Sequence, residues 1–163
     1  MIMGHDVGSD FFLICRSDTL LYAIPLAHVV ETMRPLPVTE VADMPAFVLG
    51  IAIIRGEGVP VLDTALLVCA RSGARPARYV TVKIDARTAC LAVEEVIGIR
   101  HVPPALRAEV PHLLHASDSD IVAAIGVLDA ALLVVLQSAH LISDELWFAI
   151  NTRAEVPGHD HPA

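Results

Sequence analysis

Short apolar runs separated by turn residues recur along most of the chain. Phe11 to Cys15 and Leu20 to Ile24 flank Arg16-Ser-Asp-Thr19, which predicts a hairpin with a four-residue loop. Pro25 opens a helical turn carrying Leu26, Val29 and Val30 on one face and ending near Glu31 to Met33. Pro35, Pro37 and Pro45 keep the next segment out of regular structure. A second hairpin is expected from Phe47 to Ile54 and Val59 to Leu62. Asp63 then suits the N-cap of a short helix over Thr64 to Ala70. Further strands are predicted at Tyr79 to Ile84, Thr88 to Val93 and Val96 to Val102. Pro103, Pro104 and Pro111 bound an irregular stretch, and Ile121 to Leu128 with Leu132 to Gln137 form the last hairpin. Ser143-Asp-Glu starts a terminal helix, with acids in its first turn. Strands this short and this closely spaced predict an all-β barrel or sandwich.

One octamer tests how far pattern alone can go. Val61-Leu-Asp-Thr-Ala-Leu-Leu-Val68 returns as Val127-Leu-Asp-Ala-Ala-Leu-Leu-Val134, but the flanks do not match. The first copy reads as strand into helix, the second as strand, turn and strand.

Composition narrows the class. The chain is 55% hydrophobic and 18% charged over 163 residues, enough to build a substantial core and to leave apolar surface for a partner. Its most apolar stretch, Ile121 to Leu136, is broken by Gly126 and Asp129 and is too short to span a bilayer, so no direct membrane insertion is expected. A formal charge of −8 argues against nucleic acid as a partner. Cys15, Cys69 and Cys90 are odd in number and widely spaced, which suits buried, reduced thiols. The acidic start, without an apolar run, does not read as a signal peptide.

The stretch from Pro45 to Asp63 is the most distinctive. Its two apolar runs flank Arg55-Gly56-Glu57-Gly58, and glycines at 56 and 58 permit the positive φ that tight turns use. Arg55 ends an apolar run with a charge it cannot shed. Partly buried, it needs a carboxylate or carbonyl partner; exposed, its head sits in water. Catalytic patterns are scarce. There is no G-x-S-x-G elbow, phosphate loop or H-E-x-x-H pair. His112 and His115, or His159 and His161 in the tail, are surface histidines on the plain reading and weak metal ligands on the other. His28 with Asp63 could be imagined as acid–base partners, but no nucleophile or cofactor pocket accompanies them. No catalytic residue, metal or cofactor is expected.

The pattern carried by Pro45, Phe47, Val48, Gly50, Arg55, Gly56, Pro60, Val61 and Asp63 resembles the signature of CheW-type chemotaxis adaptor domains. The resemblance extends weakly from Phe11 to Ile150. It implies two packed five-stranded SH3-like barrels with short helices, one of them C-terminal. The domain would span residues 11–153, between a leader at 1–10 and a tail at 154–163. It also implies a non-catalytic adaptor with two partners, the cytoplasmic tip of a chemoreceptor (methyl-accepting protein) and the regulatory domain of a CheA-type histidine kinase. Glu31, at the end of the first helix, would pair with Arg55; otherwise it is a solvated helix end. Val29, Glu31, Gly50 and Arg55, with Gly56 beside them, would line a receptor-facing groove between the barrels. Val93, Glu95 and Val96 would mark the kinase-facing surface on the other barrel. The chain departs from the family pattern at Ile53-Ile54, where Asn-Leu is usual, at Thr64, where Leu is usual, and at Glu95, near a common glycine. A small-ligand-binding β-barrel sensor is the alternative to an adaptor, with a closed internal cavity as its mark.

Overall fold

The computed structural model describes residues 10–69, 76–104, 107–109, 122–129, 131–137 and 141–155. In chain order, the elements begin with β1 (Phe11–Ser17), β2 (Leu20–Pro25), a 3₁₀ turn (Leu26–His28), β3 (Val29–Met33), β4 (Val48–Ile54) and β5 (Glu57–Asp63). They continue with α1 (Thr64–Cys69), β6 (Arg78–Ile84), β7 (Arg87–Val93), β8 (Glu95–His101), β9 (Arg107–Glu109), β10 (Val122–Leu128), β11 (Ala131–Leu136) and α2 (Asp144–Glu155).

Two sheets form. One runs β8-β1-β2-β11-β10-β9 and the other β3-β6-β7-β5-β4. Each is antiparallel except for a single parallel pair, β11 with β2 in the first and β5 with β7 in the second. This is the expected all-β fold of two packed SH3-like lobes with short helices, including the C-terminal one. The first sheet gains a sixth strand because the three-residue β9, within the stretch expected to be irregular, pairs with β10.

Three apolar cores explain why so many strands read as continuous hydrophobic runs. Along β1, Phe12 and Ile14 point into the first lobe, while Leu13 and Cys15 point into a core shared by both lobes. In β2 the same split separates Leu21 and Ala23 from Tyr22 and Ile24. On β7, Cys90 and Ala92 fill the second lobe, while Ala89, Leu91 and Val93 join the shared core. Successive side chains point to opposite faces, so a strand buried on both must be apolar at every position. Much of the apolar excess that suggested a partner surface is therefore internal. Cys15 and Cys90 are buried free thiols whose pKa burial pushes up to about 12, which makes them inert packing residues.

The predicted helix over Pro25 to Met33 is largely a strand. The 3₁₀ turn is three residues long, and from Val29 onward burial alternates, with Val29, Glu31 and Met33 less exposed than Val30 and Thr32. The helical spacing of Leu26, Val29 and Val30 is offset by β-branched Val29, Val30 and Thr32 in a segment that finds β6 as a partner. The first hairpin closes through Asp18 and Thr19 alone, Asp18 adopting φ +56°. The repeated octamer takes two structures. Asp63 accepts a hydrogen bond from the Leu66 N–H at 3.1 Å and caps α1, whereas Asp129 sits at φ +52° in the β10–β11 turn.

The seam of the second lobe as candidate functional site

β3 and β4 are the two edges of the second sheet, and two contacts span the seam between them. The first is backbone. Thr39, in the loop after β3, exchanges two 2.8 Å hydrogen bonds with Ile51 of β4. Gly50 beside it has φ +143°, and a Cβ there would lie 2.2 Å from the Thr39 carbonyl oxygen. Gly50 is thus required for the loop to reach the strand.

The second contact is the ion pair. Arg55 and Gly56 form the two-residue β4–β5 turn with φ +52° and +80°, the type I′ pattern. Glycine suits the second position. The first usually takes Asn, Asp or Gly, so arginine sits there against backbone preference. Its guanidinium reaches across the seam, donating from Nε to Glu31 Oε1 at 3.0 Å and from Nη2 to Oε2 at 2.5 Å. A β-bulge aims Glu31 at this target. The register of β3 on β6 shifts between Val29, opposite Val82, and Glu31, opposite Thr81. The buried Thr81 hydroxyl accepts from the Glu31 N–H at 3.2 Å and donates to the Glu31 carbonyl at 3.3 Å, fixing the bulged backbone. Hydrogen bonding to Arg55 holds the Glu31 carboxyl below its ordinary 4.5. The Arg55 side chain remains 77% exposed and Glu31 26%, so the pair is visible to a partner. On the two edge strands, Val30 and Ile53 are exposed large apolar residues.

The predicted site residues therefore divide. Glu31, Arg55 and Gly56 come together, although Glu31 lies on a strand rather than at a helix end. Val29 packs partly buried against the shared core, and Gly50 is buried against Thr39. Val29 and Gly50 thus pack inward, and of the residues expected to line a groove between the lobes only Glu31 and Arg55 meet in a direct contact at the exposed seam. Val93 is corrected too, because at 1% exposure in the shared core it presents nothing to a partner. Glu95 and Val96 begin β8, the free edge of the first sheet. Glu95 Oε2 accepts from Arg16 Nε at 2.9 Å and Nη2 at 2.6 Å.

Thr81 and Thr39 were not singled out in the sequence, and Val30 was placed there on the apolar face of a helical turn. A threonine between two valines, Val80 and Val82, was the available signal for Thr81. The acid–base pairing of His28 with Asp63 gains no support, since Asp63 caps α1 and His28 is exposed on the 3₁₀ turn. Among the described residues, no cluster of three or more His, Cys, Asp or Glu could hold a metal, and no helix is long and apolar enough to cross a membrane. His112, His115, His159 and His161 lie outside the described residues, as does the side chain of Cys69.

Comparison with known proteins bears on the family and the fold. Protein FrzA of Myxococcus xanthus is 31% identical over 97 residues, which is 58% of this chain. The chain spans 60% of FrzA's length. The crystal structure of scaffolding protein TtCheW from Thermoanaerobacter tengcongensis shares the fold, with a TM-score of 0.69 at 21% identity, covering 83% of this chain and 93% of that one. A family model for the CheW-like domain matches residues 12–146. The chain belongs to the CheW-like domain family.

Proposed function

We propose that this protein is an adaptor that couples the cytoplasmic tip of a chemoreceptor to the regulatory domain of a CheA-type histidine kinase, in the cytoplasm at membrane receptor arrays. The observation that carries the proposal is the bidentate Glu31–Arg55 pair, held by a bulge and a tight turn at an exposed seam. An exposed ion pair adds little to folding, so its fixed geometry is better suited to meeting a partner. Val30 and Ile53 offer apolar area near it for the face of a receptor helix. Glu95 and Val96, on the other lobe, face the kinase in this arrangement. The sensor alternative loses ground because fully buried side chains such as Ile14 and Val61 occupy the lobe interiors.

The test separates folding from docking. Arg55→Gly suits the turn better than arginine, so the melting temperature should hold or rise. Binding to a receptor cytoplasmic fragment should nevertheless fall at least about tenfold, and Glu31→Ala should match it. Unchanged receptor binding and kinase control in both variants would remove the seam from the interface.

A further inference from the structure

A second, differently charged site lies where the two lobes meet. A cleft of about 710 Å³ is lined by Arg34 and Pro35, which follow β3, by Arg78 at the start of β6, and by Glu94, Glu95 and Val96 at the β7–β8 junction. Its two acids are already engaged. Glu95 holds Arg16 at 2.6 Å, and Glu94 lies 4.0 Å from the same guanidinium while accepting the Asp18 N–H at 2.7 Å. Its two arginines are not. Among the cations whose side chains are described, Arg16, Arg55, Arg87, Arg100 and Arg153 each have a carboxylate within ion-pair distance. Arg34, Arg78 and Lys83 do not, and two of these three share one cleft. Unpaired guanidiniums gathered in one place are unexpected in a chain of net charge −8, where acids outnumber bases by 19 to 11.

We infer that this inter-lobe cleft is a docking site for an acidic segment of a protein partner, with Arg34 and Arg78 each taking a carboxylate. Guanidinium presents a planar fork that matches a carboxylate, which favours two such contacts at fixed spacing over diffuse attraction. Because Glu95 and Val96 line the same cleft, the partner is the kinase regulatory domain on the function proposed above, and the inference rests on that reading. It adds the chemistry of recognition, carboxylates of the kinase against two arginines of the adaptor. Arg16 pairs closely with Glu95 and offsets one of the two negative charges, so Arg34 and Arg78 outweigh the one that remains.

The experiment measures binding of the purified kinase regulatory domain and of a receptor fragment to the full chain. Arg34→Glu/Arg78→Glu should weaken kinase binding at least about tenfold and reverse its salt dependence, while receptor binding stays unchanged. Lys83→Glu, which removes a cation outside the cleft, should leave both unchanged. A kinase that binds the double variant as well as wild type overturns the inference while leaving the adaptor function intact. A wild-type chain that binds neither protein overturns the function itself. If inorganic phosphate competes with the kinase at millimolar concentration, yet acidic-to-neutral substitutions on the kinase have no effect, the cleft is an anion site and the acidic-segment inference is wrong.

Discussion

At Arg55 the backbone and the side chain pull in opposite directions. A positive φ disfavours a residue with a Cβ, while the guanidinium's reach to Glu31 requires a long side chain at that turn position. Strain retained where an easier residue exists points toward use, and glycine would be the easier residue. The pair also fixes the response to pH. Arg55 lowers the Glu31 pKa from 4.5, so the folded value lies below the unfolded one. A depressed carboxyl contributes above its unfolded pKa and loses that contribution as pH falls through the folded value. Receptor binding that depends on this pair should therefore be flat from about pH 8 to about pH 5 and decline only below that. Calorimetric titration across that range checks it, and a loss of binding already above about pH 5 would show that the pair does not govern docking. Arg55 was legible because it ends an apolar run inside a motif of fixed spacing, whereas Glu31 was reached only through the resemblance to the family. Thr81 was not, because its hydrogen bonds join residues 50 positions apart. Gly50 was recognisable as part of the motif, but its role depends on a loop whose path only the folded lobe defines.

At the scale of elements, local pattern succeeded where pairing and periodicity agreed. The hairpins, α1 and the start of α2 follow from turn chemistry and capping, Ser143 Oγ accepting the Leu146 N–H at 3.1 Å as its position suggests. The pattern failed at β3, where helical spacing competed with a free edge on β6, and tertiary pairing prevailed. It also missed β9, whose three residues carry too little periodicity to register without β10 beside them. The twin octamers show the same principle with sequence nearly held constant. Asp63 supplies a capping oxygen and Asp129 a left-handed turn, according to whether the next strand can pair at once. If capping is what Asp63 does, Asp63→Ala should cost about 0.5–2 kcal/mol in chemical denaturation and Asp63→Asn much less, with partner binding retained in both. Equal losses of binding in the two variants, with stability unchanged, would assign Asp63 to an interface instead.

At the scale of the molecule, the lobes are neither sequential nor separable. The second lobe, β3 to β7, is inserted between β2 and β8 of the first, so the first is completed only after the second has been passed. The shared core then joins them, drawing Leu13, Tyr22 and Val134 from one sheet and Val80, Leu91 and Leu62 from the other. α2 closes over this arrangement. Trp147 enters the shared core, with Arg87 stacked 5.2 Å above its ring, while Arg153 donates to Asp43 at 2.8 Å. Burial on both strand faces makes each lobe's interior depend on the other's presence, so unfolding should be a single transition. Leu91→Ala, in the shared core, should cost about 2–5 kcal/mol and shift the fluorescence of the lone Trp147 and the far-ultraviolet signal together. Ile54→Ala, in the second lobe's own core, should also move both signals in step. Two separated transitions in either variant would mean that the lobes stand alone. In that case the shared core would be a contact rather than the structure that holds the seam and the inter-lobe cleft at a fixed distance.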